Sequence, residues 1–332
     1  MRLGCAVEIV FRPEQIILFN ERGAVQSQRS WRAELFVRLI REGCYVSQLE
    51  ECGTPASVKE LLKQLLDLNL LEIGGGVLPP TYGRLVKNLG FFSLFSATPV
   101  LSQTRLSNSR VVILGMGALG SIILQLLALA GVQRFIIVDA DKVELSNLNR
   151  QPLFGYSDLG EFKVDVASRE VSKRLPDVDV ETRRARVTSE SELKTLELGA
   201  ADFAISCIDQ PYRLIESVVG RYFENSRTPY ITLASGLTGG YWGPIVKHGM
   251  TLTYSEIIRS HNSHPTDAEA AARDSFKEPG KWSFAPINFV IASSAAVDVT
   301  LFMSGHPDVI SLGRRIDYDA FRHKGLGSWL GE

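Results

Sequence analysis

Gly115-Met116-Gly117-Ala118-Leu119-Gly120 is a GxGxxG segment set between an apolar run, Val111 to Leu114, and a helical stretch, Ser121 to Ala130. Glycines here let the backbone turn tightly and approach a phosphate. The helix start adds free N–H groups and the positive end of its dipole. Gly115, Gly117, Ala118 and Gly120 are therefore candidate phosphate contacts. Asp139 ends the next apolar run, Phe135 to Val138, where a carboxylate can accept from ribose hydroxyls. Taken alone, the pattern favours NAD or FAD over ATP, and a dehydrogenase is one reading of it.

The elements that must hold these residues alternate. Strand-like runs at 111–114, 135–139, 178–184, 203–207 and 229–233 are separated by helical patterns at 121–130, 163–175 and 211–225. A helix over 285–304 and a strand over 313–318 follow. Such alternation predicts an α/β fold with a mostly parallel, Rossmann-like sheet covered on both faces. Ahead of it, Gly74-Gly75-Gly76 and Pro79-Pro80 break every periodicity. The division expected is a small unit over 1–75, a linker with helices over 76–106, and the large domain over 107–332.

The small unit reads as strands at 6–11, 15–19 and 24–28, then a helix capped by Ser30, a short helix or turn at 45–50, and a helix over 56–68 started by Thr54-Pro55. Three strands followed by three helices make a winged-helix-like α+β unit.

Asp139-Ala140-Asp141-Lys142-Val143-Glu144-Leu145-Ser146-Asn147-Leu148-Asn149-Arg150-Gln151 resembles the D-x-D-x-V-x-x-x-N-L-x-R-Q stretch of the ThiF/MoeB/HesA family, the ubiquitin-activating type of adenylating enzyme. Lys163 stands where that family has a lysine. Ser206-Cys207-Ile208-Asp209 resembles its D-x-x-D-N strand end, with Gln210 in place of Asn. The resemblance implies ATP and Mg²⁺ as cofactors. It assigns the nucleotide to Gly115, Gly117, Ala118, Gly120, Asp139, Asp141, Asn147, Arg150 and Lys163. Catalysis falls to Arg150, Lys163, Asn147 and Asp209, with Asp209 on Mg²⁺. The chemistry agrees. A carboxylate, with a reference pKa near ~4, is already a nucleophile at neutral pH, so adenylation needs no general base. The obstacle is charge repulsion and the charge on departing pyrophosphate, for which cations are the tools. Taken singly, Arg150 and Lys163 also read as solvated surface charges, and Asp209 as a helix cap before Pro211. Their joint spacing favours the site.

Two features depart from the wider family. No CxxC occurs, so no zinc is expected. The segment 255–283, where some members carry a thioester-forming cysteine, has none. Cys207 lies in an apolar run and reads as core. His261 and His264 read as solvated loop histidines rather than metal ligands.

The N-terminal unit resembles the recognition domain of enzymes that modify ribosomally made peptides. The resemblance implies that a precursor's leader adds as a strand beside the third strand, Ala24, Val25, Gln26, Ser27 and Gln28. A winged helix that binds DNA or only supports a dimer is the other reading. Related enzymes of peptide-antibiotic biosynthesis activate either a C-terminal carboxylate, captured by nitrogen, or glutamate side chains, joined within the peptide. The missing zinc cysteines favour the second. A catalytically silent member that only delivers peptide is a further reading, which intact Arg150, Lys163 and Asp209 oppose. The family also implies a homodimer in which a basic residue, Arg84 or alternatively Lys87, enters the partner's ATP site.

Composition sets the outer bounds. The 332 residues carry a net charge of −1, against a nucleic-acid partner bound by bulk charge. The apolar run at 121–132 is too short to span a membrane. Four cysteines and an N-terminus that runs directly into a strand pattern point to a reduced, cytoplasmic setting.

Overall fold

The computed structural model describes residues 2–4, 6–73, 80–210, 215–261 and 282–321. Cys5, His264, Pro211, the glycines at 74–76 and most of the 255–283 segment lie outside them. The chain divides into two compact units, 1–107 with 304–306, and 108–303 with 307–332.

In the first unit, β1 (Arg2–Leu3) is followed by β2 (Glu8–Phe11), β3 (Gln15–Asn20) and β4 (Gly23–Gln28). Then come α1 (Trp31–Glu42), a 3₁₀ segment (Val46–Cys52), α2 (Pro55–Asp67) and β5 (Leu71–Glu72). A second 3₁₀ segment (Pro80–Leu85), α3 (Val86–Ser93) and α4 (Pro99–Asn108) complete it. Strands β2, β3 and β4 form an antiparallel sheet in that order. The Ser30 hydroxyl caps α1 by accepting from the Ala33 amide at 3.2 Å, and Thr54 caps α2 from the Ser57 amide at 3.3 Å. Ile16, Leu18 and Val25 of the sheet pack on Phe36, Val37, Ile40, Leu62 and Leu65 of the helices. The short helix or turn expected at 45–50 is the 3₁₀ segment Val46–Cys52. Its N-cap is Tyr45, whose amide donates to Gln48 Oε1 at 2.8 Å, and Gly53 follows its end. A pairing not foreseen joins β1 to β5, where Arg2 meets the buried Glu72 at 2.8 Å.

The second unit holds a seven-stranded sheet ordered β12-β11-β10-β9-β6-β7-β8. Its elements are β6 (Arg110–Leu114), α5 (Ala118–Ala130), β7 (Arg134–Val138), α6 (Lys163–Arg174), β8 (Asp179–Arg183), α7 (Glu190–Thr195) and β9 (Phe203–Ser206). They continue through α8 (Ile215–Ser226), β10 (Tyr230–Ser235), β11 (Gly239–Val246), α9 (Tyr254–His261), α10 (Ala285–Ser304) and β12 (Ile316–Asp319). Strands β10, β9, β6, β7 and β8 run parallel; β11 and β12 are antiparallel additions. Val112, Leu114, Ile136 and Val138 pack against Val219 and Phe223 of α8 and Ile257 of α9. Val111 and Ile113 alternate to the other face and are equally buried, so both faces are covered.

Strand β11, which carries Gly239, Gly240, Gly243 and Pro244, is not among the strands the sequence predicts. The glycines have a packing reason. A Cβ at Gly239 would strike the Tyr318 carbonyl, and one at Gly240 the Ala234 carbonyl. Helix α10 is longer and more apolar than the 121–132 run. At 20 residues and mean hydropathy 1.6 it meets the length and composition of a membrane span. It is instead bonded to the sheet. Asp298 accepts from the Trp242 indole at 2.9 Å, and Asn288, fully buried, accepts from Ser235 at 2.6 Å.

Candidate functional site

The strand order places a crevice. From β6 the chain builds outward through β7 and β8, then returns to β6's other side with β9. At such a reversal the loops after the two adjacent strands part, and ligands bind at their carboxyl ends. Here those loops are Gly115–Gly117 after β6 and Cys207–Gln210 after β9. They stay in register through the Cys207 amide, which donates to the Leu114 carbonyl at 2.8 Å.

Two glycines of the loop are required by contact. Gly115 has φ +92°, and a Cβ there would come within 2.8 Å of Ile208. A Cβ at Gly120 would strike the Gly115 carbonyl, so this glycine lets α5 sit against the strand end. Gly117 is different: nothing lies within 4 Å of where its Cβ would be. It is the N-cap of α5, and among the described residues no side chain caps that helix, so its first N–H groups suit an external acceptor.

Asp139 knits this loop to the next. Its carboxylate accepts from the Met116 amide at 2.6 Å and the Asp141 amide at 2.7 Å. Burial pushes its pKa above the usual carboxylate value, against the opposing pull of Lys163 and the two amides. Asp141 in turn accepts from Lys163 Nζ at 3.1 Å and from Arg186 at 3.2 Å, one cation on each oxygen. Lys163 is buried at the first position of α6, and its own amide donates to the Asp141 carbonyl at 3.0 Å.

Asn147 and Arg150 stand on the 3₁₀ turn Leu145–Asn147 and the residues after it. The buried Asn147 accepts the Glu144 amide at 3.1 Å through its carbonyl oxygen; its NH₂ donates to Ser146 Oγ at 3.5 Å and has a second N–H to give. Arg150 curls over its own turn onto the Ser146 carbonyl and, at 3.0 Å, Asn149 Oδ1. Gln151 is buried with Oε1 unbonded. Asp209 is exposed in the loop after β9 and has no side-chain partner among the described residues.

The structure thus joins Gly115–Gly120, Asp139, Asp141 and Lys163 by direct bonds. It sets Asn147 and Arg150 on one turn, bonded within that turn. Arg84 and Lys87 are exposed in the first unit, at the end of the 3₁₀ segment and in α3. Burial pushes the Cys207 thiol up to about 12, unsuited to a nucleophile. Arg186 was missed by sequence reasoning. It lies after β8, far along the chain from Asp141, among other paired arginines.

In the first unit, β4 is bonded, among the described residues, to β3 alone and forms one edge of its sheet. The Arg29 amide donates to the Glu14 carbonyl at 2.9 Å. By the alternation of an antiparallel ladder, Ser27 and Val25 then bond inward, while Ala24, Gln26 and Gln28 turn their backbone groups outward.

The sequence pattern of the ThiF family matches residues 89–328, and the chain belongs to that family. A sulfur carrier protein adenylyltransferase from Thermus thermophilus is 45% identical over 94 residues, 28% of this chain and 35% of that relative. The chain therefore spans only about a third of the length of this curated relative. Among solved structures, E. coli MccB with ATP superposes with TM-score 0.73 at 25% identity, over 96% of this chain and 93% of that one. PaaA superposes with TM-score 0.71 at 23% identity, over 95% of each chain, a likeness of fold.

Proposed function

We propose that the protein is an ATP-dependent adenylating enzyme that activates a carboxylate of a ribosomally made precursor peptide. The observation that carries the reading is the bonded set of Met116 amide, Asp139, Asp141 and Lys163 beside the uncapped start of α5. An uncapped helix start with open space at Gly117 suits a phosphate, and a buried lysine beside it suits further phosphate charge. The family and the likeness to MccB, which has been solved with ATP, support the same nucleotide.

In this reading the peptide carboxylate attacks the α-phosphorus of ATP. The bond to the β-phosphate breaks, pyrophosphate leaves, and an acyl adenylate remains. Gly115, Gly117, Ala118 and Gly120 present backbone to the phosphates. Asp139, already holding two amides, keeps lone pairs for the ribose. Lys163, Arg150 and the NH₂ of Asn147 offset charge on the leaving group. Asp209 would hold Mg²⁺ with the substrate's phosphates, since this ion is commonly bound by one or two carboxylates and phosphate oxygens. The ion would neutralise developing phosphate charge. Arg84, or Lys87, would reach the site of a second protomer.

Residues 1–75 would hold the leader, as a strand added at Ala24, Val25, Gln26, Ser27 and Gln28. The open edge of β4 supports this. The chemistry we favour is activation of glutamate side chains, followed by a bond within the peptide. A second reading, activation of a peptide C-terminus for capture by nitrogen, is favoured by the likeness to MccB, solved with MccA. Incubation with ATP, Mg²⁺ and candidate precursors, read by mass spectrometry, tests both. Formation of AMP with a modified peptide is expected. A peptide left unmodified with ATP consumed to ADP alone would overturn the reading.

A further inference from the structure

We propose that the groove between the open edge of β4 and the end of α2 takes an extended peptide that presents a lysine or arginine side chain to Asp67. This rests on the strand-docking reading and adds the charge of the side chain that is read. The groove encloses about 450 Å³ between Ala24, Val25 and Gln26 of the strand and Gln64, Asp67 and Leu68 at the helix end. Asp67 is the one charged group of that lining.

Asp67 is exposed and has no hydrogen bond or ion pair among the described residues, although Lys63 lies one turn back on the same helix. It is the last residue of α2, where the negative end of the dipole disfavours an anion, and no basic side chain stands in that turn. Nearby backbone amides are spent. Those of Leu68, Asn69 and Leu70 donate to Gln64, Leu66 and Leu65 at 3.3, 2.9 and 2.7 Å. Gln64 commits one N–H of its NH₂ to Glu60 at 3.1 Å. The groove thus carries neutral amide donors and acceptors and a single uncompensated charge, the Asp67 carboxylate. A cationic side chain neutralises it and also suits the helix end.

Selectivity follows from pleating. In a strand added to β4, alternate side chains face opposite ways, so one register sets one residue toward α2. An exposed pair is a modest interaction, so the expected preference of lysine over glutamate is about threefold or more, and it should shrink in high salt.

The test uses the full chain and short fluorescein-labelled strand peptides of alternating Thr and Val, with Lys, Gln or Glu at one central position, read by anisotropy. The Lys peptide should bind best and the Glu peptide worst, and Asp67→Lys should invert that order. Gln26→Pro removes an outward N–H while sparing the pairing with β3, and it should weaken all three peptides alike. If Gln26→Pro weakens all three but the order is flat or survives Asp67→Lys, the role of Asp67 is wrong and strand docking stands. If Gln26→Pro changes nothing, or no peptide binds, docking at this edge is wrong and the proposal falls with it.

Discussion

Lys163 sits where stability alone would not put it. It is a buried cation at the start of a helix, an end at which the dipole disfavours positive charge by roughly 0.3–1 kcal/mol. Its partner Asp141 is half exposed, and Arg186 on the other oxygen is largely in solvent, so these pairs contribute only about 0–1 kcal/mol each. The two effects are of similar size, so the arrangement adds little to folding and makes sense as a charge held for a substrate. Lys163→Met should leave the melting temperature unchanged or raised, while peptide adenylation falls about a hundredfold or more. Arg150→Ala should fall as far, and Arg186→Ala less. Near-normal turnover in the Lys163 variant would put this residue outside the site. Asp139 gives a pH signature. Its folded pKa is raised, mainly by burial, so its contribution to stability is present at low pH and lost as pH rises through that value. Asparagine does not titrate. Melting curves should show Asp139→Asn gaining on the wild type as pH rises above the ordinary carboxylate range; a constant difference would contradict the buried carboxyl.

At the scale of elements, the GxGxxG loop divides into glycines that permit packing and one that leaves room. Gly120→Val must push α5 from the Gly115 carbonyl and should lower both melting temperature and nucleotide affinity. Gly117→Ala meets nothing within 4 Å, so the fold should hold while nucleotide affinity alone drops. If calorimetry and melting show the two variants behaving alike, the loop's space is not used by a ligand. This loop was legible in the sequence because backbone geometry dictates glycine at fixed spacing. The strand–helix alternation of the second unit, and the caps at Ser30 and Thr54, were legible for similar local reasons. Strand β11 was not, because its glycines answer to carbonyls of two neighbouring strands that no local window contains. The same limit hid Arg186, whose contact with Asp141 depends on β7 and β8 lying side by side. The hydrogen bonds that Asp139 accepts from the Met116 and Asp141 amides were hidden too. The spacing suggested a ribose acceptor, and only the fold shows the carboxylate also tying two loops together.

At the scale of the molecule, the reading needs two protomers as well as one nucleotide. If Arg84 acts on a partner's site, an inactive Arg84→Ala protein and an inactive Asp209→Ala protein should regain activity when mixed and allowed to exchange subunits. No recovery, with exchange verified by mass, would remove Arg84 from the mechanism. The central claim is narrower and can be tested without knowing the peptide. A GxGxxG loop with an acid at the next strand end also fits NAD, and what separates the readings is the added phosphate charge that Lys163 and Arg150 are assigned to meet. Titration calorimetry of the full chain with ATP·Mg²⁺ and with NAD decides between them. The account predicts saturable ATP binding that is lost in the Lys163→Met, Arg150→Ala double variant, and no measurable NAD binding. Tighter binding of NAD than of ATP would contradict it.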